Sequence, residues 1–110
     1  MPMILIEAAV LTLVTNPNLV NGSAFEFARS RQLMSCGIVQ SATGGFATIT
    51  SGPDIIAEEF SAPILTTYPI IPDNMYFTDV MEQGDRLVIR YRNPTGGTLT
   101  ARALVQTSPI

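Results

Sequence analysis

The segment GDRLVIRYRNPTGGTLTARALVQ, Gly84–Gln106, decides the predicted fold. Apolar and polar residues alternate along both of its halves, which is typical of two β-strands that each bury one face. The residues expected to face inward are Leu87, Ile89, Tyr91, Leu99, Ala101, Ala103 and Val105. The loop between the halves, Asn93–Gly97, contains a proline and two glycines that suit a turn. Residues 84–106 are therefore predicted to form a C-terminal β-hairpin.

This segment also holds most of the positive charge of the chain. All six basic residues are arginines, and four of them lie here: Arg86, Arg90, Arg92 and Arg102. A hairpin register that matches the apolar faces places these four on one sheet face, where they repel one another unless anions intervene. The face is expected to be either a solvated outer wall, with carboxylates such as Glu58 or Glu59 nearby, or a subunit interface. Binding of nucleic acid with Tyr91 as a stacking ring is disfavoured, because Tyr91 points to the opposite face.

Glycine and proline interrupt the remaining sequence about every ten residues, which is typical of an all-β chain. The whole chain, residues 1–110, is predicted to be a single domain, an antiparallel β-sandwich or a jelly-roll-like barrel. Ile4–Val14 is predicted to be a strand with a bend or bulge, since a straight one would be about 35 Å long. Ser23–Met34 fits either a short helix opened by a capping box or a strand, and a strand is preferred in a β-rich chain.

Residues 51–79 are predicted to be an extended arm or edge segment. Four prolines interrupt this stretch, and proline cannot donate to a central sheet ladder. Between the prolines lie apolar pairs such as Ile64-Leu65 and Ile70-Ile71, which are too apolar for a solvated loop. The motif YPIIP, Tyr68–Pro72, is therefore interpreted as an arm whose apolar side chains need cover.

Composition limits the classes of partner and the compartment. Charged residues make up 14% of the chain, the mean hydropathy is +0.30 and the net charge is −3. An acidic balance argues against general nucleic-acid binding. No apolar run approaches the length of a membrane-spanning helix, and no positive residue precedes the N-terminal apolar run as in a signal peptide. The single Cys36 cannot form an internal disulfide, so we expect synthesis in a reducing cytoplasm.

The sequence predicts no catalytic residue, no cofactor and no metal site. Histidine and lysine are both absent, which excludes imidazole-based triads and lysine nucleophiles. Cys36 has no histidine or second cysteine to activate it, so a buried structural thiol is expected. The acidic residues of the stretch 73–85 are interpreted as turn formers, with a glycosidase-like carboxylate pair or a calcium site as the alternatives.

The apolar segments lack the polar side chains that the outward face of a solvated strand should carry, which indicates that a partner covers them. If about 800 Å² of excess apolar surface stayed uncovered, its burial would contribute on the order of 20 kcal/mol, against association costs of about 4–15 kcal/mol. A permanent homo-oligomer or a place in a larger shell is the expected outcome. The predicted interface residues are Ile4, Ile6, Val10, Ile64, Leu65, Tyr68, Ile70, Ile71, Arg86, Arg90, Arg92 and Arg102.

A β-sandwich that combines the proline-punctuated stretch SAPILTTYPIIPD (residues 61–73) with the closing segment 84–106 resembles small virion structural proteins of bacterial viruses. These are the decoration (cement) proteins and the small jelly-roll capsid or vertex proteins. The resemblance implies a non-enzymatic component of a virus particle, made in the host cytoplasm, that forms trimers or pentamers and contacts neighbouring capsid protein through arms and strand addition. The alternative is a carbohydrate- or ligand-binding β-sandwich module, such as the receptor-binding tip of a fibre.

Overall fold

A computed structural model describes residues 3–64 and 76–109 of the chain. The described residues form two four-stranded antiparallel sheets and no helix, so the predicted all-β sandwich is confirmed. The strands are β1 (Met3–Val10), β2 (Thr15–Asn16), β3 (Gln32–Gln40), β4 (Phe46–Ser51), β5 (Asp54–Ser61), β6 (Tyr76–Met81), β7 (Leu87–Arg92) and β8 (Leu99–Pro109).

The strand order is that of a jelly roll. One sheet, here called the β1 sheet, has the order β1-β8-β3-β6, and the other, the β2 sheet, has the order β2-β7-β4-β5. The first half of the chain thus pairs with the second half, β1 with β8, β2 with β7, β3 with β6 and β4 with β5. Additional pairing of β3 with β8 and of β4 with β7 completes the two sheets. This arrangement matches the eight-stranded, double Greek-key jelly roll.

The predicted hairpin of residues 84–106 is wrong, because β7 and β8 lie in different sheets. The inward faces were predicted correctly: Leu87, Ile89 and Tyr91 are buried, as are the facing residues of β8. Alternation specifies which face of a strand is buried, but it does not specify the neighbouring strand. Two strands can bury their apolar faces either as neighbours in one sheet or by facing each other across the core from two sheets. The loop 93–98 therefore crosses from one sheet to the other.

Three buried side-chain amides hold the chain where it leaves its strands. Asn93 donates through Nδ2 to the carbonyl oxygens of Val10 and Gly97, each at 2.8 Å, and its Oδ1 accepts from the backbone of Thr95 at 3.0 Å. One side chain thereby fixes both the end of β1 and the loop before β8. Since a buried amide must find such partners, this residue favours the crossing over a plain turn.

Asn18 and Gln40 act in the same way at other positions. The Oδ1 atom of Asn18 accepts from the backbone of Ile89 at 3.1 Å, which fixes the segment after β2 against β7. Gln40, at the end of β3, donates to the carbonyl of Ala62 at 2.8 Å and accepts from the Tyr91 hydroxyl at 2.7 Å. Tyr91 is fully buried, and burial raises its pKa to about 12. Asn18 thus fastens the segment after β2 to β7. Gln40 joins the end of β3 to the segment after β5 and to β7 of the other sheet.

The N-terminal strand is shorter than predicted. β1 ends at Val10, and the chain then turns through Leu11–Leu13, where Leu13 has a φ of 61°. The predicted bend is therefore present, but it carries the chain into the other sheet instead of curving one long strand. Thr15 and Asn16 form the short β2 beside β7.

Neither interpretation of Ser23–Met34 is correct for its first part. Residues 23–31 are turns and bends with one isolated bridge between Phe27 and Arg86, and the strand begins only at Gln32. The Glu26 carboxylate accepts from the backbone N–H of Gly22 at 2.9 Å, and not from that of Ser23 as a capping box requires. No helix follows, because the backbone of Glu26 and Ala28 bonds instead to Leu87 and Asp85.

The predicted arm 51–79 is only partly described. Residues 54–61 form β5, at the edge of the β2 sheet, and Tyr76–Met81 forms β6, at the edge of the β1 sheet. The YPIIP motif lies outside the described residues.

We expect Asn93→Ala to destabilise the fold by about 3 kcal/mol, since it leaves several buried polar backbone groups without a partner. Urea unfolding followed by circular dichroism measures this loss. The matched control is Asn21→Ala, at an exposed turn position, which should change stability by less than about 0.5 kcal/mol. Equal unfolding midpoints for the two variants would contradict the anchoring role of Asn93.

Candidate interaction surfaces

The predicted cluster of four arginines does not exist. Arg90 and Arg92 alternate with the buried residues of β7 and lie on the outer face of the β2 sheet, and Arg86 directly precedes that strand. Arg102 lies in β8, opposite Glu7 of β1, on the outer face of the other sheet. The error follows directly from the wrong hairpin, because the register that joined Arg102 to the others required β7 and β8 to be neighbours.

Three of the four arginines have a carboxylate partner within the chain. Arg86 contacts Glu26 at 2.8 Å, Arg92 contacts Glu59 at 3.0 Å and Arg102 contacts Glu7 at 3.5 Å. Glu59 is therefore the carboxylate that was expected near this face, and the choice between a solvated face and a subunit interface stays a prediction. Exposed pairs of this kind contribute about 0–1 kcal/mol each. They neutralise the surface more than they stabilise the fold.

Aromatic rings accompany two of these arginines. The Arg92 guanidinium lies 5.0 Å from the ring centroid of Phe46, and that of Arg86 lies 5.9 Å from the centroid of Phe27. Arg90 is exposed and makes no ion pair with any residue in the described ranges. Tyr91 faces the core, as the sequence predicted, so its ring is not available for stacking on a base.

Glu26 differs from the other paired carboxylates because its side chain is only 9% exposed. The hydrogen bond from the Gly22 backbone lowers the pKa of Glu26 most, and the contact with Arg86 lowers it further, against the opposing effect of burial. The ion pair joins the loop before β3 to the start of β7. It therefore fastens the long connection between the two sheets.

The predicted interface residues of β1 are placed differently from the prediction. Val10 is 2% exposed and belongs to the core, so its assignment to an interface is wrong. Ile4 and Ile6 are half-buried and pack against the same core. The large apolar side chains of β1 that point outward are those of Met3 and Leu5, at 51% and 45% exposure.

Of the arm residues, Ile64 is 51% exposed and forms an isolated parallel bridge with Gln40. Leu65, Tyr68, Ile70 and Ile71 lie outside the described residues, and their assignment to an interface stays a prediction.

An apolar surface that the sequence did not predict lies on the outer face of the β1 sheet. It comprises two pairs of side chains, which we call the outer apolar surface: Met3 with Leu5, and Leu33 with Val80, between 37% and 51% exposed. Gln106 and Ser108 of β8 lie between the two pairs. Leu33 and Val80 are directly paired between β3 and β6. Ile4–Val14 is apolar at both alternating positions, so only the sheet pairing reveals which of its side chains point outward.

The described residues also form a shallow cleft of about 230 Å³ beside the loop before β3. Its lining residues are Ala24, Phe25, Phe27, Arg29, Gln32 and Thr107. Phe27 is 53% exposed at this site. The cleft thus offers an aromatic ring, a guanidinium and polar side chains to solvent.

No group of three or more acidic or cysteine side chains in residues 3–64 and 76–109 converges as a metal site. Burial raises the pKa of the Cys36 thiol to about 12, which agrees with the predicted structural role. Asp85 accepts a hydrogen bond from the backbone of Glu82 at 3.0 Å, and Glu82 pairs with Arg31, so both serve the turn before β7.

The described part of the chain has no helix long and apolar enough to cross a membrane. The sequence matches no protein-family model, and no curated protein or solved structure matches it significantly.

The low pKa of Glu26 makes stability depend on pH in a defined direction. Because the folded pKa lies below the ordinary value of 4.5, the hydrogen bond from Gly22 and the contact with Arg86 contribute fully above pH 4.5, and their contribution is lost as the pH falls through the folded pKa. We expect Glu26→Gln to lower the melting temperature at pH 7 and to flatten its decline between pH 5 and roughly pH 3. The control, Glu59→Gln, should melt close to the wild type at pH 7. A Glu26→Gln profile parallel to that of the wild type would refute the assignment.

Proposed function

We propose that this protein is a non-enzymatic structural component of a virus particle, of the capsid decoration (cement) or minor capsid type. It acts by self-association, as a trimer or pentamer, and by contacts to neighbouring capsid protein. The observation that carries the proposal is the outer apolar surface, which adds exposed methionine, leucine and valine side chains to a chain with few charges. Exposed large apolar side chains that share one sheet face are typical of protein interfaces.

The strand order supports the same proposal. Jelly rolls are frequent among viral capsid domains, although they also occur in lectins and cupins. A fold alone does not determine function, so the argument depends on the surface. The pairing of arginines with carboxylates leaves few free charges on the described surface, which suits contacts between protein subunits better than contacts with nucleic acid.

The remaining parts of the proposal concern place and partners. The protein would be made in the host cytoplasm and incorporated into the virion, without a cofactor and without a membrane contact. The expected capsid contacts are made by the outer apolar surface and by the arm within residues 51–79. Strand addition and extended arms bury such surfaces without requiring a preformed pocket.

The second candidate function is a carbohydrate- or ligand-binding module, such as the receptor-binding tip of a fibre. The cleft beside Phe27 favours it, because an exposed ring next to Arg29 and Gln32 can stack on a sugar and hydrogen-bond its hydroxyl groups. The ring also lies near the guanidinium of Arg86, which holds one side of it. A glycan array separates the two candidates, since only a binding module gives a hit that Phe27→Ala abolishes.

Co-sedimentation tests the leading proposal. Purified wild-type protein, mixed with particles of the virus that encodes it, should pellet with the particles, and a Leu33→Lys, Val80→Lys double variant should pellet at least about tenfold less. The matched control is Thr48→Lys, Thr50→Lys, which adds the same charge to the outer face of the β2 sheet and should pellet normally. Wild-type protein that remains in the supernatant at every concentration would overturn the proposal.

A further inference from the structure

β1 is a long and regular edge strand. Its eight residues pair one-to-one with β8 without a bulge, and no strand among the described residues pairs with its other side. Such an edge presents unpaired backbone donors and acceptors that readily accept a further strand. Natural proteins usually protect an edge of this kind with bulges, prolines or charged side chains.

The other three edge strands of the two sheets are β5, β2 and β6, and each of them is protected or short. β5 follows Pro53, has register shifts against β4 and carries Glu59 with a φ of 47°. β2 has only two residues, and β6 has six. β1 carries a single charge, on Glu7, and Arg102 already neutralises it. Within residues 3–64 and 76–109, the free edge of β1 therefore lacks the usual protection.

The sequence of β1 is complementary to itself in antiparallel pairing. If Leu5 lies opposite Leu5 of a second copy, Ile4 lies opposite Ile6 on the inward face and Met3 lies opposite Glu7 on the outward face. Apolar side chains then meet on both faces at the centre of the contact. A pairing centred on Glu7 instead of Leu5 would place the two Glu7 carboxylates opposite each other. Like charges in that position are destabilising, so this pairing is disfavoured.

We propose that two copies of this chain pair along β1, in antiparallel orientation about a two-fold axis at Leu5, so that their β1 sheets form one continuous eight-stranded sheet. The occupant of the free edge is thus a second copy of the chain. The half-buried Ile4 and Ile6 lie at the rim of the core, where the second strand covers them. The inference rests on the self-association in the proposed function. A two-fold contact of this kind is additional to the contacts that close a ring of three or five subunits.

Charge at the centre of the contact provides the first test. Sedimentation equilibrium of the full chain should show that Leu5→Lys raises the dissociation constant of the two-fold contact at least about tenfold, because two lysines then lie opposite each other. The matched control is Val14→Lys, since Val14 is 43% exposed directly before β2 and Leu5 is 45% exposed. Val14→Lys should leave the two-fold contact intact. Far-UV circular dichroism confirms that both variants are folded.

A disulfide gives a second test that does not depend on loss of binding. Opposed residues of an antiparallel pair have Cα atoms about 4.5–5.5 Å apart, within the range of a disulfide. Leu5→Cys should therefore form a covalent dimer on oxidation, whereas Ala9→Cys, exposed on the same strand but far from the two-fold axis, should not. The native Cys36 does not interfere, because it is buried.

The outcomes separate this inference from the proposed function. A wild-type chain that is monomeric at all concentrations overturns both. An oligomer whose mass is unchanged by Leu5→Lys, and in which Leu5→Cys does not cross-link, overturns the β1 contact and leaves self-association standing. Loss of mass with Leu5→Lys but not with Val14→Lys, together with cross-linking through Leu5→Cys alone, supports the inference.

Discussion

The fold depends on the face-to-face packing of strands that follow each other in the chain but belong to different sheets. β7 and β8 are joined by only six residues, yet their buried faces meet across the core instead of sharing a ladder. The crossing exposes backbone groups that a hairpin would have paired. Asn93 supplies those partners from a fully buried side chain, and Asn18 and Gln40 do so at two other connections.

This constraint explains which predictions from the sequence succeeded. Alternation correctly predicted the inward residues of β7 and β8, and the density of glycine and proline correctly predicted an all-β sandwich. Alternation is a property of one strand and its environment, so it can be recognised locally. The partner of a strand is a property of the whole fold, and the loop 93–97 is equally compatible with a hairpin and with a crossing. The crossing is present because β7 pairs with β2 and β4 while β8 pairs with β1 and β3, and buried Asn93 satisfies the backbone groups at that crossing.

The errors about surfaces follow from the same source. Arg102 was grouped with three distant arginines, and Val10 was placed at an interface, because both assignments required a knowledge of strand pairing. Once the pairs are known, each of Arg86, Arg92 and Arg102 has a carboxylate partner. The exposed apolar residues are instead those of the outer apolar surface, Met3, Leu5, Leu33 and Val80, which come from three strands far apart in the sequence. A function based on subunit contact therefore depends on the jelly-roll order.

Backbone nuclear Overhauser effects on isotopically labelled protein test this strand order most directly. The account predicts cross-strand contacts between the backbones of Ile49 and Ile89 and between those of Glu7 and Arg102. Residues 89 and 101 should show no backbone contact, because packed sheets lie about 10 Å apart. Strong backbone contacts between Ile89 and Ala101, and between Tyr91 and Leu99, would restore the hairpin and contradict the account.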